Sequence, residues 1–189
     1  MTSDRSPRSY VPLRGAHIER LRELADEDHR FFTRPAMRPE YRERRVAVTL
    51  AQGAALHYVD GKNGVKDLDV WTFYAQLPSV DFPFGQRKRH LDFGISDLGR
   101  NLYEPDFDHR QLKRWLGFRG RRVDLMIRSL PIGTDARPGV VVDAIRSWLH
   151  DGTLEPMQPN EDDMPSNWHL AQKAVVLIDP GPAQLVWPS

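Results

Sequence analysis

The stretch that decides the fold runs from residue 44 to residue 77 and reads RRVAVTLAQGAALHYVDGKNGVKDLDVWTFYAQL. Its first part, 44–52, is apolar and rich in β-branched residues, which predicts a buried strand. The segment 53–59 follows as one or two helical turns. A turn-rich run, DGKNG (60–64), then leads into a second strand over 67–77. The stretch therefore predicts a strand, a short helix and a returning strand.

Two carboxylates, Asp67 and Asp69, stand at the start of this second strand. Side chains alternate along a strand, so both acids share one face with Trp71 and Phe73, and they lie about 6–7 Å apart. Such a pair has two explanations, a solvated strand edge or a site for a hard cation. Mg²⁺ prefers oxygen ligands and usually takes one or two carboxylates together with substrate phosphates. The two aromatic residues are interpreted as core.

A third acid, Asp124, lies inside RRVDLMIRSL (121–130), which has strong β character. A carboxylate in so apolar a strand is costly if it is buried without a partner. Two solutions stay open at this point. An arginine at position 119, 121, 122 or 128 can pair with Asp124, or Asp124 can complete a metal site with the first two acids.

The remaining chain predicts one domain with an α+β (α/β) fold, a mixed sheet with helices packed on it. Residues 1–15 are polar and contain proline, which predicts a loose N-terminal arm before a single domain over 16–189. Within that domain the core motif covers about 44–130, and the C-terminal part, 137–189, is expected to be helical. The segment 167–178 is ambiguous between helix and strand.

Further elements follow from periodicity and composition. Ile18, Leu21, Leu24 and Ala25 recur at helical spacing, as do Val142, Ile145 and Leu149. A strand is predicted over 87–95, and a short helix over 106–117, with Gly152 as the stop of the later helix.

Composition excludes several classes of site. The 189 residues include no cysteine, which rules out disulfides, thiolate zinc sites, iron–sulfur clusters and a cysteine nucleophile. No apolar run approaches the roughly 20 residues that span a bilayer, and MTSDRSPRSY lacks the apolar core of a signal peptide. A cytoplasmic protein without a membrane partner is expected. Basic clusters at 41–45, 86–90 and 118–122 are interpreted as solvated loops or as phosphate contacts.

The segment LAQGAALHYVDGKNGVKDLDVWTFY (50–74) resembles the active-site motif of the nucleotidyltransferase superfamily related to DNA polymerase β. That motif has an apolar strand, a glycine followed by glycine or serine, a variable spacer, and Asp-x-Asp or Asp-x-Glu on the next strand. Here Gly53 takes the glycine position, Asp67 and Asp69 form the acid pair, and Asp124 matches in context the carboxylate of a later strand. Ala54 replaces the family's second glycine or serine, so the serine hydroxyl that contacts phosphate is missing.

The resemblance implies a metal-dependent transfer of a nucleoside monophosphate from a nucleoside triphosphate, such as ATP, to a hydroxyl acceptor. It assigns catalysis and the binding of Mg²⁺ (or Mn²⁺) to Asp67, Asp69 and Asp124. Nucleotide binding would fall to a set of residues around the glycine turn and before the acid pair, namely Gln52, Gly53, Ala54, Lys62 and Lys66. Backbone N–H groups at the start of a helix can hold phosphate without the serine. The acceptor stays open between a small molecule, an RNA end and a protein.

Two other interpretations stay open. The chain can be a non-catalytic nucleotide- or RNA-binding module with a degenerate site, which Ala54 favours, whereas the three intact acids favour the enzyme. It can also be an unrelated α+β protein whose acids are structural. The position of Asp124 separates these cases, since the enzyme requires all three carboxylates to lie together near Gly53.

Overall fold

The computed structural model describes residues 8–80, 82, 88–100, 116–150 and 174–188. These residues form three α-helices, six strands and a short 3₁₀ turn. In chain order the elements are α1 (Gly15–Phe32), the 3₁₀ turn (Pro39–Tyr41), β1 (Arg45–Ala51), α2 (Gln52–Asp60), β2 (Leu68–Ala75), β3 (Lys88–Asp92), β4 (Arg122–Leu130), α3 (Pro138–His150), β5 (Ala174–Asp179) and β6 (Gln184–Trp187). The helix predicted over 106–117 and the stop at Gly152 fall almost wholly outside the described residues.

All six strands belong to one mixed sheet with the order β3-β4-β2-β1-β5-β6. The central pair, β2 and β4, is parallel, and every other neighbouring pair is antiparallel. The predicted α+β class, a mixed sheet with helices packed on it, is confirmed. The parallel pair matters most for function because it sets the starts of β2 and β4 side by side, with Leu68 opposite Val123.

Alternate side chains of each strand point to opposite sides, so both faces of the sheet carry apolar side chains. Helices cover both faces and bury these side chains. Val70 and Leu125 belong to the core that α1 and α2 close. Trp71 and Met126, one position further along, belong to the core that α3 closes. The four residues that predicted α1 are all buried in the first of these cores: Ile18, Leu21, Leu24 and Ala25. No helix in the described part of the chain has the length and apolarity to cross a bilayer.

The stretch 137–189 was expected to be helical, and in its described part it contains α3 followed by two strands. AVVLID (174–179) is a short, uninterrupted apolar run, whose periodicity does not distinguish a strand from a buried helix. Its side chains are buried on both sides, since Val175 packs in the core under α3 and Val176 in the core under α1 and α2. Pairing with β1 decides the matter in favour of a strand.

A carboxylate clamp joins the end of β3 to the start of β4. Asp92 accepts hydrogen bonds from the backbone N–H groups of Gly94 (3.0 Å), Arg119 (2.7 Å) and Gly120 (2.9 Å). Burial alone would raise the pKa of Asp92, but these bonds bring it below its usual value. A Cβ atom on Gly120 would lie 1.8 Å from the carbonyl oxygen of Gly94, so glycine is required there. The clamp fixes the register of β3 against β4.

Candidate active site

Asp69 and Asp124 are direct neighbours across the parallel pair of strands β2 and β4. Paired residues on adjacent strands point to the same face, and the strands are about 4.8 Å apart. Both acids are buried, with 8% of Asp69 and 1% of Asp124 exposed. Asp67 immediately precedes β2 and lines the same pocket. The three carboxylates therefore lie together at the end of the sheet where β2 and β4 begin.

These carboxylates line a polar pocket of about 320 Å³. Its lining consists of Arg8, Gln52, Gly53, Ala54, Gly64, Lys66, Asp67, Asp69, Arg122 and Asp124. The pocket thus brings together every site residue named from the sequence except Lys62, which is exposed in the turn after α2. Three acidic side chains in the lining are balanced by three basic ones: Arg8, Lys66 and Arg122.

The start of α2 forms one wall of the pocket. The N-cap residue, Ala51, has no side chain that could accept from the first N–H groups of the helix, and the first turn contains no acid. The first N–H groups of a helix carry a partial positive charge. A Cβ atom on Gly53 would meet no atom within 4 Å, so open space adjoins the backbone there. This wall can accept an anion.

The turn from β1 into α2 is strained at Gln52, where φ is 56°. This is the left-handed region, in which a residue with a Cβ atom is disfavoured by about 1–2 kcal/mol. The sequence had pointed to Gly53 as the residue of the turn, and the left-handed conformation falls one position earlier. Strain of this kind is concentrated at functional sites.

Exchange of Gln52 for glycine is expected to stabilise the fold by about 1 kcal/mol, because relief of the left-handed strain exceeds the added flexibility of the unfolded chain. Urea unfolding measures the change in the free energy of unfolding. Gln76→Gly is a matched control, since Gln76 is not among the residues with positive φ, and it is expected to destabilise. A destabilised Gln52→Gly variant would contradict the strain.

Arg122 joins two of the three carboxylates. Its Nη2 lies 2.5 Å from Oδ2 of Asp67, and its Nε lies 2.8 Å from Oδ1 of Asp124. The contact of Arg122 with Asp124 is an ion pair without the geometry of a hydrogen bond, whereas His90, opposite Asp124 on β3, donates from Nδ1 to Oδ1 of Asp124 at 2.6 Å. Of the four arginines considered from the sequence, Arg122 thus pairs with Asp124. A buried carboxylate needs such partners.

A second arginine, Arg128, is buried in the core below the site. It is 2% exposed, and its guanidinium carbon lies 5.6 Å from the ring centroid of Trp71 and 5.9 Å from that of Trp148. Burial lowers the pKa of Arg128 to about 10, while the negative charge of Asp69 acts in the opposite direction. Arg128 is therefore a buried cation that attracts the carboxylate of Asp69.

Four residues around the site were missed by the sequence reasoning or given no role in the pocket. Strand alternation could have placed Arg122 and Arg128 on the face of Asp124, since they lie two and four positions away. The position of His90 beside Asp124 depends on the register of β3, and that of Arg8 depends on packing between distant segments. No sequence signal predicts either position. Trp71, interpreted as core, is buried against Trp148 in the core under α3.

Three carboxylates in one pocket are the donor chemistry that Mg²⁺ and Mn²⁺ prefer. Among the described residues, however, no group of three or more histidine or acidic side chains is arranged to hold a metal ion. Arg122 instead places its positive charge between Asp67 and Asp124. The residues fit a divalent cation in charge and in ligand type, and Arg122 is the group that competes with it.

Comparison of the chain with protein-family models, with curated proteins and with solved structures found no significant match.

Proposed function

We propose that the protein is a Mg²⁺- or Mn²⁺-dependent nucleotidyltransferase, which moves a nucleoside monophosphate from a nucleoside triphosphate to a hydroxyl acceptor. The observation that carries the proposal is the adjacency of Asp69 and Asp124 on parallel strands, with Asp67 in the same pocket. The start of α2 beside these acids adds a wall suited to phosphate. The resemblance of residues 44–130 to the nucleotidyltransferase motif supports the same reaction.

In this reaction the side chains of the pocket bind and orient. Asp67, Asp69 and Asp124 would hold the divalent cation, which when bound neutralises the triphosphate and lowers the pKa of the acceptor hydroxyl. The first N–H groups of α2 and the ammonium group of Lys66 donate hydrogen bonds to the phosphate oxygens. Groups that are positioned before the reaction stabilise the charge that develops in the transition state.

The bonding changes follow from this arrangement. The acceptor oxygen forms a bond to the α-phosphorus, and the bond from that phosphorus to the oxygen bridging to the β-phosphate breaks. Pyrophosphate leaves with the electron pair, and the proton of the hydroxyl passes to a carboxylate of the pocket. The protein contributes position and electrostatic stabilisation rather than a covalent intermediate. A cytoplasmic location is part of the proposal, and the absence of cysteine agrees with it.

A second candidate function is a binding module that holds a nucleotide or RNA without transferring it. One observation favours it, since Arg122 forms ion pairs with both Asp67 and Asp124 and so compensates their charge. Ala54 also provides no hydroxyl to a phosphate. In this case the basic side chains of the pocket would hold phosphate directly, and the three acids would serve the fold.

Incubation with labelled nucleotides separates the two candidates. The purified protein is mixed with Mg²⁺ or Mn²⁺, with cell extract as the source of acceptor, and with ATP, CTP, GTP or UTP labelled at the α- or the γ-phosphate. Nucleotidyl transfer predicts that the α-label enters a product and that the γ-label leaves in pyrophosphate. Binding of nucleotide without any transferred label would favour the module.

Variants show whether the transfer belongs to this site. Asp67→Asn removes one carboxylate of the pocket, and we expect it to abolish the transfer. Asp143→Asn is the matched control, since Asp143 lies on α3 with 76% of its side chain exposed. Label transfer that is equal in Asp67→Asn and in the wild type would remove the enzyme from consideration.

A further inference from the structure

We infer that Arg8, in the N-terminal arm, binds the phosphate chain of the nucleotide. The inference rests on the proposed function and adds to the site a residue that lies about 60 positions before the acid pair. Arg8 lines the pocket together with Asp67, Asp69 and Asp124. Residues 8–14, which the sequence suggested would belong to a loose arm, are attached to the loop that leads to these acids.

Backbone hydrogen bonds hold the arm in place. Ser9 and Val65 bond in both directions, from Ser9 N–H to Val65 O at 2.8 Å and from Val65 N–H to Ser9 O at 2.6 Å. The imidazole of His57, which is 1% exposed, adds two further bonds. Its Nδ1 accepts from the N–H of Gly64 at 3.1 Å, so its Nε2 carries the proton and donates to Val11 O at 3.0 Å. His57 thus fastens arm and loop to α2.

Close packing at Gly64 fixes the position of Arg8. The φ angle of Gly64 is +64°, and a Cβ atom there would lie 2.9 Å from the ring of Tyr10 and 3.1 Å from Cβ of Arg8. Only glycine allows both the backbone conformation and this approach. Nη1 of Arg8 donates to the carbonyl oxygens of Asn63 at 3.1 Å and Gly64 at 3.3 Å. These two backbone carbonyls therefore hold the guanidinium in a defined orientation.

The chemistry of a guanidinium at this point suits a phosphate chain. A triphosphate that enters a pocket with three carboxylates needs compensating positive charge. Arg122 is engaged by Asp67 and Asp124. Two carbonyl oxygens orient the Arg8 guanidinium at the pocket, and the planar fork of donors of an arginine matches two phosphate oxygens at once. Positioning before binding lowers the entropic cost of the contact.

Binding of inorganic tripolyphosphate in the presence of Mg²⁺, measured by titration calorimetry, tests the inference without reference to the base. Arg8→Gln is expected to weaken this binding about 10- to 100-fold, the range for loss of a charge-assisted contact. Glutamine is two bonds shorter than arginine and also loses the contacts to the carbonyls of Asn63 and Gly64, so a purely structural role is checked separately by the free energy of unfolding of the variant. Arg8→Lys keeps the charge but lacks the planar fork of donors, and its affinity for tripolyphosphate is expected to lie between those of the wild type and Arg8→Gln.

Two further variants complete the test. Arg14→Gln is the matched control, since Arg14 is in the same arm but pairs with Asp97 at 3.5 Å, outside the pocket; its affinity should equal that of the wild type. Gly64→Ala keeps all basic side chains but displaces the arm, and it should weaken binding as Arg8→Gln does. Where transfer is measured, Arg8→Gln should raise the KM for the triphosphate more than it lowers kcat.

The outcomes are distinct. Equal tripolyphosphate affinity of Arg8→Gln and wild type, with both proteins folded by circular dichroism, overturns the role of Arg8 and leaves the proposed function in place. A wild-type protein that binds neither tripolyphosphate nor any of the four nucleoside triphosphates overturns both. Unchanged affinity in Gly64→Ala would contradict the role of the arm in positioning Arg8.

Discussion

Exchange of Asp69 for asparagine is expected to lower nucleotidyl transfer about a hundred- to a thousandfold, the scale for loss of a principal electrostatic group of an active site. Asp69 stands between Asp67, two positions earlier, and Asp124, its neighbour on β4. Asparagine has nearly the same shape but lacks the charge that a divalent cation requires. The rate of α-label transfer, measured under saturating nucleotide and metal, gives the effect directly.

The same exchange is expected to leave the free energy of unfolding nearly unchanged. Asp69 loses its attraction to Arg128, but the repulsion between neighbouring carboxylates is relieved at the same time. Thermal unfolding by circular dichroism gives the comparison. Transfer at the wild-type rate in a folded Asp69→Asn protein would exclude Asp69 from the reaction, whereas lost transfer in an unfolded protein would call for Asp69→Glu as the second variant.

Asp124→Ala is expected to lower the free energy of unfolding by about 3 kcal/mol, the cost of breaking a buried ion pair from one side. Asp124 has 1% of its side chain exposed and Arg122 has 12%, so solvent replaces little of what is lost. His90 loses its acceptor as well. Arg122 keeps its contact with Asp67, which places the expected loss at the lower end of the range for buried pairs.

A double-mutant cycle isolates the pair. Urea unfolding of Asp124→Ala, Arg122→Met and the double variant, followed by tryptophan fluorescence, gives the coupling energy, which is expected to be about 1–3 kcal/mol. Asp143→Ala serves as the exposed control and should change stability little. A coupling near zero would show that other groups, such as His90, and not Arg122, compensate Asp124.

The candidate site was predictable to the extent that it depends on local pattern. The alternation of side-chain direction along a strand placed Asp69 on the same face of β2 as the core residue Trp71. The apolar surroundings of Asp124 indicated that it needs a partner. The prediction that Asp69 and Asp124 lie together came from the resemblance to a known motif. Periodicity identifies single strands, but it does not show that β2 and β4 pair in parallel.

The parts that sequence reasoning missed depend on long-range geometry. His90 meets Asp124 only because Asp92 and Gly120 fix the register of β3, and Arg8 reaches the pocket only because Gly64 lets the arm approach. Neither contact produces a periodic pattern in the sequence around these residues. The sequence of β5 is ambiguous for another reason, since a strand that is buried on both faces has no alternation to distinguish it from a buried helix.

The ion pairs of Arg122 have a consequence for the order in which ligands act. A cation that binds Asp67 and Asp124 must first separate Arg122 from them, so its apparent affinity is reduced by the free energy of that exchange. The released guanidinium is then available to the anionic ligand in the same pocket. Cation and triphosphate would each raise the affinity for the other by the same factor, as thermodynamic reciprocity demands. Under the proposed function, the pocket would therefore respond cooperatively to the metal–nucleotide complex and weakly to either component alone.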